Sequence, residues 1–194
     1  EVLETIPPEL HDRARGALVE ALMTGAARHK DARALRHTLD RLGELHRRSG
    51  GALPGTDGAS VRAALVAKLA DVQSLDDFQR ADLALPEEAF VEPAARQPYE
   101  VLPSYVEVGG ERCSLDYEIE NGRTVVRIRM KEALARRLGS HEVPELDRPV
   151  AFTVMRGKHA AIRAATLQEL RRALSAGGSD RRRGGSTRRH RRRP

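Results

Sequence analysis

The spacing of apolar residues divides the chain in two. Over residues 1–85 they recur every three or four positions, the period of a helix with one buried face; from Tyr105 onward they alternate, the period of a half-buried strand. After Pro7 and Pro8, the residues Leu10, Ala14, Leu18, Ala21 and Leu22 fall on one stripe, and Gly25 supplies a stop. Asp31 to Arg48 gathers Leu35, Leu39, Leu42 and Leu45 and ends in the loop SGGALPGTDG. A third helix from about Ser60 carries Val61, Leu65, Leu69 and Val72. Ser74 with Asp77 three residues later resembles a capping box opening a short fourth helix. Helices of this length need tertiary burial to persist, so a bundle is expected.

Pro86, Pro93, Pro98 and Pro103 then interrupt the chain and predict a linker over residues 86–98. Beyond it, LDYEIENGRTVVRIRM contains Asn121-Gly122, the pair best suited to the two positive φ angles of a type I′ turn. Placing the turn there pairs Leu115 with Ile128, Tyr117 with Val126 and Ile119 with Thr124 on one face. Ser114–Arg129, Asp116–Arg127, Glu118–Val125 and Glu120–Arg123 fall on the other. Gly109-Gly110 predicts a preceding hairpin that pairs Val106 with Cys113 and Glu107 with Arg112. A short helix (Lys131 to Leu138), a strand through Val150, Phe152 and Val154, and a fifth strand near Ala160 to Arg163 follow. Thr166 and Glu169 then open a last helix through Leu167, Leu170 and Leu174.

The fold class is therefore α+β: an N-terminal helical bundle (1–85), a Pro-rich linker (86–98), a small β-meander domain (99–175) and a disordered basic tail (176–194). Three strands, a helix and two strands is also the order of an OB barrel, so the second domain is read as OB-like or as a plain α+β meander.

Charge changes the picture only at the end. The chain of 194 residues has a net charge of +6, yet its last twenty residues hold eight arginines against one aspartate, leaving the rest close to neutral. Aromatic content of 3% leaves the cores to Leu, Val and Ala. The lone Cys113 excludes an internal disulfide and fits a reducing compartment. No apolar run reaches the roughly 18 residues of a membrane helix, and no secretory leader opens the chain, so a soluble cytoplasmic protein without a membrane partner is expected. The first residue, Glu1, is not methionine, as in a piece of a longer protein or a processed one.

Candidate chemistry is sparse. There is no G-x-x-x-x-G-K-[ST] phosphate loop, and Gly109-Gly110 has no lysine beside it. His29, His37 and His46 are spaced by eight and nine residues, too far to converge on a metal from one helix, and read as solvated. Cys113 falls on the apolar face as a structural thiol. Asp76-Asp77 and Glu87-Glu88 are adjacent in sequence, which does not make a catalytic pair. Arg33, Arg36, Arg41, Arg47 and Arg48 could meet phosphates, but Asp31, Asp40 and Glu44 interleave with them. The predicted nucleic-acid-binding residues are Arg181, Arg182, Arg183, Arg188, Arg189, Arg191, Arg192 and Arg193, whose guanidinium forks suit phosphate oxygens. Six such contacts on a single strand would lower log K by ~4 per tenfold rise in salt. A passive solubilising tail is the alternative. Only Tyr99 and Tyr105 remain for base stacking if Tyr117 and Phe152 serve the core.

PSYVEVGGERCSLDYEIENGRTVVRIRM and LDRPVAFTVMRGKHAAIRAATLQELRRAL together resemble the region after the motor core of bacterial DEAH-box ATP-dependent helicases of the HrpA-like kind. The shared elements are Pro103 with Val106 and Gly110, then Leu115, Tyr117 and Glu120, then Gly122 leading into an apolar strand; ARALRHTLDRLGELHRRSGG fits an accessory helical segment. The resemblance implies an upstream motor core in the same chain, holding the Walker motifs, ATP and Mg. No catalytic residue and no cofactor would lie in these residues. The expected role is a non-catalytic accessory segment that binds single-stranded RNA or DNA. The alternative is a protein–protein interaction module with a passive tail.

Overall fold

A computed structural model describes residues 5–156 and 160–183, with backbone alone at 156, 160 and 177–183. The chain is α+β and divides into two compact units, residues 1–102 and 103–194.

The first unit is helical. Helix α1 (His11–Thr24) stops at Gly25, whose φ of 76° closes the last turn. Helix α2 (Ala32–Ser49) buries Leu35, Leu42 and Leu45. Helix α3 (Gly58–Lys68) starts where the Asp57 carboxylate accepts from the Ala59 and Ser60 amides, and α4 (Leu75–Arg80) where the Ser74 hydroxyl accepts from the Asp77 amide at 3.0 Å. Val19, Leu65, Leu69 and Phe78 join the leucines of α2 in one core. The extended segment after α4 is fastened to α2 by polar contacts. Asp31 accepts from the Leu83 amide at 3.0 Å, and the buried Thr38 hydroxyl donates to the Leu85 carbonyl at 2.8 Å.

Residues 86–98 do not form a linker. They turn through a 3-10 segment (Glu87–Ala89) into α5 (Pro93–Glu100), which belongs to the first unit, and the unit boundary falls between Leu102 and Pro103. Pro93 sits in the first turn of α5, where a missing N–H costs nothing. Ion pairs supply what proline spacing cannot reveal: Arg96 reaches Glu87 at 3.2 Å and Glu88 at 3.1 Å, and Arg41 reaches Glu100 at 2.8 Å. Arg48, 9% exposed, donates to the carbonyls of Tyr99 at 3.2 Å and Leu102 at 2.8 Å, satisfying the end of α5.

The second unit is a five-stranded sheet in sequence order: β1 (Tyr105–Val108), β2 (Glu111–Glu120), β3 (Arg123–Lys131), β4 (Val150–Arg156) and β5 (Ala160–Ala164). Both hairpins hold the predicted register, including Val106 opposite Cys113 and Leu115 opposite Ile128. Gly109, Gly110, Asn121 and Gly122 all have positive φ, as their type I′ turns require. Helix α6 (Glu132–Arg137) carries the chain across to β4, which runs parallel to β3; β5 returns antiparallel. Among the described residues β1 pairs only with β2 and β5 only with β4, so the sheet is open. Of the two forms the strand order allowed, the α+β meander is the one adopted, because no strand among the described residues joins the two edges into a barrel.

One face of this sheet holds Val108, Leu115, Tyr117, Ile128, Phe152 and Val154, all buried, while α6 packs on β3 and β4 and α7 on β4 and β5, burying Leu134, Leu170 and Leu174. Helix α7 runs from Leu167 to Arg183, so residues 176–183, expected to be disordered, are helical. Helix growth costs far less than nucleation, so a helix seeded by docked leucines extends beyond its apolar stripe. Residues 184–194 of the expected tail lie outside the described residues.

Candidate nucleic-acid interface

The eight predicted arginines fall at the end of the chain. Arg181, Arg182 and Arg183 form the last turn of α7, while Arg188, Arg189, Arg191, Arg192 and Arg193 lie outside the described residues. A second cationic cluster, not singled out from the sequence, stands on the open face of the sheet.

Strand alternation builds it. Because Val106 and Cys113 face the core, Tyr105 and Ser114 must face away, and the same parity turns Arg112, Arg129, Lys131 and Met155 to that side. Tyr105, Ser114, Arg129 and Thr153 form one row across β1 to β4. Around this row lies a surface depression of about 480 Å³, lined by Tyr105, Arg112, Ser114, Arg129, Lys131 and Met155. Tyr105 is 52% exposed. The Arg112 guanidinium lies over its ring, 4.0 Å from the centroid, an arrangement worth about 0.5–1 kcal/mol at the surface. Arg112, Arg129 and Lys131 are exposed, and none of them forms an ion pair among the described residues. Glu107 stands directly across from Arg112, yet the guanidinium goes to the ring. Glu111, the one carboxylate lining the depression, is drawn away by Arg137 at 2.6 Å.

The other end of the same face is neutralised. Arg127, 5% exposed, donates through Nε to Glu118 and Glu120, both at 2.9 Å, and through Nη1 to the Phe152 carbonyl at 3.1 Å. Arg163 also pairs with Glu118. The hydrogen bond from Arg127 holds the Glu120 carboxyl below the usual carboxylate range. Burial works against the Arg127 charge, but its bonds to Glu120 and Glu118 prevail and raise its pKa.

Elsewhere the candidate residues are structural. In α2, Arg36 pairs with Asp40, Arg41 with Glu87 and Glu100, and Arg47 and Arg48 with Glu44, leaving Arg33 exposed without an ion pair among the described residues. His29 is not solvated as expected: its side chain is fully buried, with Nε2 3.0 Å from the Phe78 carbonyl and Nδ1 accepting from the Asp31 amide at 3.1 Å. His46 contacts the Thr56 hydroxyl at 3.1 Å, and His37 is exposed. Cys113 is buried, and its desolvation raises the thiol pKa, which leaves it a poor nucleophile. Asp77 caps α4, while Asp76 pairs with Arg80. No group of three His, Cys, Asp or Glu among the described residues could hold a metal ion, and none of their helices is long and apolar enough to cross a membrane.

No family model, no curated protein and no solved structure matches the chain.

Proposed function

We propose that the chain binds single-stranded RNA or DNA largely through phosphate contacts, as an accessory segment of a cytoplasmic ATP-dependent helicase. The observation that carries the binding part is the set of three cations, Arg112, Arg129 and Lys131, that the open sheet face leaves without carboxylate partners among the described residues. A cation already paired must give up that partner to take a phosphate. One without a carboxylate breaks no ion pair to do so, and the released counterions drive association. The arginines at the chain end add a second set of cations, beginning with Arg181, Arg182 and Arg183 in the last turn of α7. The helicase part rests on the resemblance of the strand and turn residues alone, which implies ATP chemistry upstream of Glu1.

The test is the salt dependence of binding to a labelled ten-residue oligouridylate. Intact chain, a chain lacking residues 179–194, and the variant Arg112→Ala/Arg129→Ala/Lys131→Ala are compared. Taking one cation away from its phosphate flattens the slope of log K against log salt by about 0.7. Unchanged slopes in both altered proteins would remove the reading.

A second reading has its own observation. In the first unit an apolar depression of about 460 Å³ is lined by Leu18, Leu75 and Phe78, and Leu75 is 67% exposed. That surface suits an interaction module docking an apolar protein segment. Retained capture of one defined protein by a chain with no oligonucleotide affinity, abolished in Leu75→Lys, would favour it.

A further inference from the structure

We infer that the depression beside Tyr105 seats one unpaired base of a single strand on the tyrosine ring, with the flanking phosphates against Arg129 and Lys131. This deepens the nucleic-acid reading above and rests on it. Phosphate contacts alone do not distinguish a single strand from a duplex; an exposed ring does, because only an unpaired base can turn out of its stack to meet it.

Four features converge on such an occupant. Tyr105 remains 52% exposed although the Arg112 guanidinium lies over its ring, so the side chain keeps surface that a base can cover. The guanidinium at 4.0 Å also pins the ring, so that little side-chain freedom is lost on stacking. The half-buried Met155 gives the depression an apolar, polarizable wall suited to a flat ring. Arg129 and Lys131 lie two residues apart on one strand, about 7 Å along the sheet at ordinary strand rise, close to the distance between successive phosphates of an extended strand. Every base offers a π-face, so the site tolerates any sequence. Tyr117 offers no such surface: it is buried, with its hydroxyl donating to the Pro103 carbonyl at 2.7 Å.

The chain contains three tyrosines and no tryptophan, so its intrinsic emission reports on few rings. The full chain is titrated with three probes in dilute salt: ten-residue oligouridylate, the same backbone with abasic positions, and a ten-pair duplex. Stacking quenches tyrosine emission with oligouridylate and not with the abasic strand. Tyr105→Leu removes the quench and lowers oligouridylate affinity about tenfold, while its salt slope and its abasic-strand affinity stay those of the unaltered chain. Tyr105→Phe keeps the affinity, since the ring and not the hydroxyl makes the contact. Equal affinity of Tyr105→Leu and the unaltered chain for oligouridylate overturns the stacking site and leaves the phosphate reading standing. So does equal affinity of the unaltered chain for normal and abasic strands. Failure of all three probes to bind overturns both.

Discussion

Helix α2 and the open sheet face are both rich in arginine, and they use it in opposite ways. Four of the five α2 arginines are held by carboxylates, and two of them, Arg41 and Arg48, fasten α5 to the helix. On the sheet, Arg112, Arg129 and Lys131 stand without such partners among the described residues, beside an exposed tyrosine, while Arg127 and Arg163 a few residues away are consumed by Glu118 and Glu120. The number of basic residues therefore does not find a polyanion surface. What matters is whether the fold has already supplied each cation with a counter-charge. Surface pairs of this kind add little stability, but they cancel the field a phosphate would feel.

Four variants can break that contrast. Arg48→Ala should have the largest effect, about 3 kcal/mol, because it takes the guanidinium donor from the carbonyls of Tyr99 and Leu102 and leaves Glu44 with Arg47 alone. Urea unfolding reads it, and oligouridylate affinity should not move; a weaker affinity at full folding would put α2 in the interface. Arg127→Ala should cost about 2 kcal/mol by leaving Glu120 without its guanidinium partner and Glu118 with Arg163 alone. The freed carboxylates should also weaken strand binding at low salt, and unchanged affinity would show that the two ends of the face act independently.

Arg129→Ala with Lys131→Ala should lower affinity about tenfold in dilute salt, near 1.4 kcal/mol, and flatten the salt slope by about 1.4 as two phosphates go without their cations. Arg36→Ala should change stability by less than about 0.5 kcal/mol and leave the slope alone, since its partner Asp40 is also exposed. Acid sharpens the same comparison. The Glu120 carboxyl is lowered by its bond to Arg127, so its contribution to stability is complete above the ordinary glutamate pKa of about 4.3 and disappears as pH falls through the lowered folded value. A thermal melting series from pH 6 to pH 2 should show that decline, and Glu120→Gln should lessen it.

Much of the architecture was legible along the chain. The Gly109-Gly110 and Asn121-Gly122 turns set the register of three strands, and the structure keeps it, because a one-residue slip would move Leu115, Tyr117 and Ile128 to the wet face. Ser74, Asp77, Thr166 and Glu169 marked their helix starts through local hydrogen bonds. The candidate interface was only half legible. Tyr105 was recognisable as a spare aromatic, and alternation already placed Ser114 and Arg129 across from each other.

Local rules therefore determined the secondary structure, the register and the charged end of the chain, since caps, turns and alternation act over a few residues. Which arginines stay available was decided only in three dimensions. Arg48 finds its carbonyl partners more than fifty residues away, and Arg163 finds Glu118 forty-five residues away. The same long-range pairing ties residues 86–98 to α2 through Arg41 and Glu87, and strand pairing in space leaves the sheet open at β1 and β5. Ion pairs fall off with distance through space and take no account of separation along the chain. A linear reading can count the charges, but folding is what brings each one to a partner or leaves it facing water.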